Sequence, residues 1–68
     1  MKLSNDVLEK LKFSRKAKAR LMYEFNVGHS SMYRWMRDNE SDGELTRVKA
    51  VRIIAEELGL PENTILTE

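Results

Sequence analysis

The sequence predicts an all-α fold, a compact bundle of four to five short helices in a single domain spanning residues 1–68. Three observations predict it. No stretch alternates apolar and polar residues for long enough to make a strand. Four stretches instead carry apolar residues at helical spacings of three and four, and only short breaks separate them. The length of 68 residues also leaves room for one core and no more.

The first helix is expected from about Asn5 to Lys12, with Ser4 or Asn5 as N-cap, Asp6 in the first turn, and Val7, Leu8 and Leu11 on one face. The second begins near Ser14, a candidate N-cap, and runs to Phe25. Its apolar stripe is Ala17, Leu21, Met22 and Phe25, and its other side carries Arg15, Lys16, Lys18 and Arg20. No Gly or Pro marks the join between these two helices, so its position is open. Asn26 is suited to stop the second helix, because Asn tolerates the left-handed conformation that closes a helix, and Val27 can supply the accompanying apolar contact.

The third helix is expected over His29 to Asp38, followed by the polar loop from Asn39 to Glu44. The fourth should start at Thr46 as N-cap, with Leu45 stapled onto Ala50. It should end at Gly59, with Leu60 as apolar partner and Pro61 forbidding continuation. Its predicted inner face is Val48, Val51, Ile54, Ala55 and Leu58, which leaves Ile53 pointing outward. A last helical turn around Glu62 to Leu66 would return Ile65 or Leu66 to the core.

Composition excludes several classes. The chain has no cysteine and one histidine, so disulfides, thiolate metal sites and a histidine-built metal site are ruled out. No cofactor and no small-molecule ligand are expected. The charged N-terminal residues lead into no apolar run, which argues against a signal peptide or a membrane span and for a cytoplasmic setting. No nucleophile signature or pair of apolar-flanked carboxylates is present, so the reading is not an enzyme.

Net charge is +1, but it is unevenly distributed. Residues 1–37 carry nine basic and three acidic side chains, a balance of +6. Residues 38–68 carry three basic and eight acidic, a balance of −5. A chain basic at one end and acidic at the other can engage a polyanion in one orientation only.

Residues 15–38 form a candidate helix-turn-helix. Met32, Trp35 and Met36 occupy one side of the third helix, while Ser30, Tyr33, Arg34 and Arg37 fill the opposite arc, flanked by His29 and Ser31. A helix pinned by one face and polar on the other suits the DNA major groove. Arg34 and Arg37 can donate to guanine edges or hold phosphates. Tyr33 can pack on a thymine methyl, and Ser30 and Ser31 lie where free helix N–H groups also point outward. Lys16, Lys18 and Arg20 would lie along the phosphate backbone. Trp35 shares a stripe with two methionines and is assigned to the core.

The stretch from Leu21 through Asn26-Val27-Gly28 to Trp35 resembles the lambda-repressor/Cro-like (Xre-type) helix-turn-helix of phage and bacterial regulators. The segment from Leu45-Thr46 through Leu58-Gly59-Leu60 to Ile65-Leu66 is similar to that family's fourth helix and tail. The resemblance covers residues 15–66 and implies a repressor-like regulator of transcription that binds double-stranded DNA, with Gly28, His29, Ser30, Tyr33, Arg34 and Arg37 at the reading positions. It also implies that Phe25, Val27, Met32 and Trp35 are buried. Asn26 stands where the family usually has Gly. Met22 stands where it usually has Ala, so the second and third helices should be held apart or tilted.

An outward Ile53 together with the tail residues Ile65 and Leu66 marks a candidate homodimer contact, which would let paired half-sites multiply specificity. The competing reading is a protein-interaction module on the same scaffold, its acidic C-terminal half docking a basic partner. An RNA-binding variant would want an exposed aromatic pair for stacking, which the sequence does not offer.

Overall fold

A computed structural model describes residues 1–68. Four α-helices carry the fold: α1 (Asn5–Phe13), α2 (Arg15–Phe25), α3 (His29–Asp38) and α4 (Val48–Leu58). Single 3₁₀ turns at Glu44–Thr46 and Glu62–Thr64 precede and follow α4. The result is a small all-α bundle. No helix is long and apolar enough to cross a membrane.

The helix ends follow from side chains that satisfy free backbone groups. Ser4 caps α1, its hydroxyl accepting from the Val7 N–H at 3.3 Å. Ser14 does the same for α2 through the Ala17 N–H at 3.2 Å. A cap residue in extended conformation is thus enough to break the chain between α1 and α2 without Gly or Pro. Asn26 closes α2 with φ 53° and ψ 50°, and the Val27 N–H reaches back to the Met22 carbonyl at 3.0 Å. Gly59 closes α4 in the same way at φ 68°, with the Leu60 N–H on the Ala55 carbonyl.

The core is built around α4, which packs against α1, α2 and both 3₁₀ turns. Fourteen apolar residues are buried, among them Val7 and Leu11 of α1, Ala17 and Leu21 of α2, and Met32 and Met36 of α3. Trp35 and Phe25 lie half-buried against this core and meet edge to face, with ring centroids 5.9 Å apart. Val27 is likewise half-buried.

Four expectations need correction. The inner face of α4 excludes Val48, which is 71% exposed, and includes Ile53, which is 3% exposed. Elements flank α4 on several sides, so its buried arc extends over Ala50, Val51, Ile53, Ile54 and Ala55 and exceeds one stripe. Ile53 and Ile65 are therefore interior residues of a single copy and cannot form the homodimer contact assigned to them. Leu66 is half-buried against the same core.

Thr46 does not cap α4. It belongs to the 3₁₀ turn, where its hydroxyl donates to the Gly43 carbonyl, and Arg47 occupies the cap position without a side-chain bond. Lastly, the tail is helical only as far as Thr64. Leu66–Thr67 (β2) then pairs antiparallel with Lys2–Leu3 (β1), Leu3 opposite Leu66.

Asn39 holds this two-stranded ribbon to α3. It ends α3 at φ 41°, and its side-chain amide bonds both backbone groups of Leu3: the Leu3 N–H donates to Oδ1 at 3.1 Å, and Nδ2 donates to the Leu3 carbonyl at 3.0 Å. A side chain thereby substitutes for a neighbouring strand. The buried Leu3 is fixed by β2 on one side and Asn39 on the other.

Candidate nucleic-acid interface

The α2–turn–α3 unit presents the outer face of α3 as expected. Met32 and Met36 point inward, while His29, Ser30, Tyr33, Arg34 and Arg37 are exposed and Ser31 is half-buried. Gly28 is the N-cap of α3, with extended backbone (φ −96°) and no side-chain cap bond. A Cβ built there meets nothing within 4 Å, so nothing inside the chain demands glycine. Its lack of a side chain instead leaves the first N–H groups of α3 open to an approaching group.

The His29 and Tyr33 rings stack at 6.3 Å, and the Lys18 ammonium lies 6.0 Å over the Tyr33 ring. Lys18 also donates to the Lys12 carbonyl at 2.7 Å, which ties the end of α1 to the side of α3. Between α2 and α3 lies an open cavity of about 390 Å³ lined by Arg15, Lys18, Met22, His29, Met32 and Tyr33. Met22, bulky where a small residue would let the helices close, stands at its wall half-buried.

The cations of α2 divide into two sets. Arg15 and Lys18, three residues apart, share the side that faces α3. Lys16 and Arg20 face α4 instead. Lys16 is 3.9 Å from Glu57, and Arg20 bridges Glu56 at 3.0 Å and Glu57 at 3.3 Å. Desolvation works against the Arg20 charge, but attraction to Glu56 and hydrogen bonds to both carboxylates outweigh it and raise its pKa above the ordinary value. Arg20, held by two carboxylates, is turned from α3, whereas the Lys16 side chain is 86% exposed and only loosely paired with Glu57.

On α3 itself, Arg37 pairs with the adjacent Asp38 at 3.0 Å, whereas Arg34 pairs with no carboxylate. Arg15 and Lys18 are likewise without an acidic partner.

Three members of this surface were not singled out from the sequence: Lys12, Phe13 and Arg15. The spacing of Arg15 to Lys18 was the available signal for the last. Phe13 lies two residues beyond buried Leu11, about 200° round the helix, which puts it outward. It is 85% exposed and lines an open trough of about 560 Å³ with Lys12, Lys18, Tyr33, Met36 and Arg37. An exposed aromatic pair is therefore present, contrary to the expectation from sequence. Comparison with known protein families, with characterised proteins and with solved structures finds no match to this chain.

Proposed function

We propose that this chain is a sequence-specific, double-stranded DNA-binding regulator of the repressor-like, lambda-repressor/Cro-like kind, with α3 seated in the major groove. One observation carries the reading. The unpaired cations Arg15 and Lys18 of α2 line the open cavity beside α3, while Arg20 is held by Glu56 and Glu57 of α4 and Lys16 stands 3.9 Å from Glu57. Arg34, also unpaired, lies on the outer arc of α3 and lines a separate cavity with Asp38, Glu40, Asp42 and Glu44. A free positive face beside a helix with an accessible N-terminus and an outward arc of Ser, Tyr and Arg fits a groove walled by phosphates. Arg34 is the base-reading candidate, Ser30 and Tyr33 its neighbours, and Arg15 and Lys18 the phosphate contacts.

The competing protein-interaction reading is weakened by the fate of the acidic residues. Asp38, Asp42, Glu44, Glu56 and Glu57 all pair with cations of the same chain. Few are left to attract a basic partner.

Selection from a random duplex library tests the proposal. A recovered consensus is expected, and a palindrome would reveal binding by two copies. Arg34→Ala should then weaken the selected site by about 1–3 kcal/mol relative to random duplex. Failure of the wild-type chain to bind any duplex at low salt would sink the proposal.

A further inference from the structure

We infer that Phe13 belongs to the same DNA-binding face, as an apolar contact onto the sugar edge of the duplex backbone beside the groove that α3 enters. This rests on the reading above. Phe13 has no part in the fold: α1 ends on it, Ser14 caps the next helix, and its ring is 85% exposed. A single exposed apolar residue is ordinary. This one is not isolated, because Tyr33 and Met36 line the same trough and Lys12, Lys18 and Arg37 rim it.

The rim determines what can cover the trough. A second copy related by a two-fold axis would bring Lys12, Lys18 and Arg37 towards their own equivalents, a like-charge contact. The occupant must be anionic yet offer apolar surface. The DNA backbone does both, with deoxyribose C–H surface between successive phosphates. Tyr33 lines both this trough and the α2–α3 cavity. A duplex seated on α3 therefore runs continuously towards Phe13, whereas an unpaired strand would need no such continuity.

The two kinds of contact differ in their salt dependence. Loss of a phosphate contact reduces the slope of log K against log salt, but loss of an apolar contact releases no counterion and leaves the slope alone. Binding of a short fluorescein-labelled duplex to the full chain, followed by anisotropy at several salt concentrations, reads both. Phe13→Ala should weaken binding about five- to tenfold at every salt concentration with an unchanged slope, as removal of part-buried apolar area implies. Phe13→Leu should recover most of that loss. Lys18→Ala should flatten the slope by about one.

Four results would overturn the inference: Phe13→Ala binding the duplex within twofold of wild type, altering the slope, weakening only a single-stranded oligonucleotide, or altering only self-association in sedimentation equilibrium. The first of these, with Arg34→Ala still weakening the duplex, removes Phe13 from the footprint and leaves the proposed function standing. Absence of any duplex binding by the wild type defeats that function itself. Should Phe13→Ala lose helicity by circular dichroism, Phe13→Gln carries the same comparison with the ring removed and the length kept.

Discussion

Lys16 and Lys18 stand two positions apart on α2, and the turn of the helix gives them different work. Lys16, its side chain 86% exposed, lies 3.9 Å from Glu57 on the side of α2 towards α4. Lys18 lies over Tyr33 and spends one of its three donors on the Lys12 carbonyl, which leaves two for an incoming phosphate. Lys18→Ala is accordingly expected to weaken binding to all duplexes alike, and Lys16→Ala to leave it within about twofold. Equal losses in the two variants, measured by anisotropy on random duplex, would contradict this division. Gly28 belongs to the same scale. Because a Cβ there meets nothing inside the chain, Gly28→Ala should leave the melting temperature unchanged while weakening DNA binding, where a methyl group would stand between the α3 backbone and its partner. Weakened folding with normal binding would show that the glycine serves the fold instead.

The reassignment of one helix face has a measurable consequence at the scale of the element. Ile53 is interior, so Ile53→Ala should destabilise the chain by about 2–5 kcal/mol in urea titration. Val48→Ser should cost less than about 0.5 kcal/mol, as surface substitutions do. Near-equal effects would restore the single-stripe view of α4. That view failed for a physical reason. Periodicity reports which side of a helix is apolar when one neighbour covers it, but α4 is covered from several sides, and its five buried positions fill a wide arc. Where the buried positions stay on one narrow stripe, as for Val7 and Leu11 or Met32 and Met36, spacing alone found the buried face. Helix ends set by local chemistry were equally legible, including Ser14, Asn26 and Gly59. Asn39 was not, because its role depends on Leu3, a residue remote in sequence. Asn39→Ala, which removes two hydrogen bonds from a half-buried site and strains a left-handed residue, should cost about 2–3 kcal/mol in the same titration. The exposed outer face of α3 was visible from the arc of polar residues. Its extension to Arg15 and Phe13 required knowing how α1 and α2 meet.

Charge matters most at the scale of the whole molecule. Acidic residues outnumber basic ones in the C-terminal half, and Glu56 and Glu57 of α4 neutralise the α2 cations that point away from α3. Beside α3, Arg15 and Lys18 are left uncompensated, and Lys12 and Arg37 line the adjoining trough, Arg37 being free for a phosphate once it gives up Asp38. The near-zero net charge of +1 therefore conceals an uneven distribution, with unmatched cations beside α3 and matched ones towards α4. Counterion release turns this into a number. If Arg15 and Lys18, with up to two more from Lys12 and Arg37, contact phosphates, log K should fall against log salt with a slope of about −2 to −4 for each chain bound. Lys16→Ala combined with Arg20→Ala should leave that slope unchanged, although it removes two positive charges, because both are matched within the chain and face α4. A slope that fell by about two in the double variant would mean that the polyanion is met by net charge, not by the face of α3.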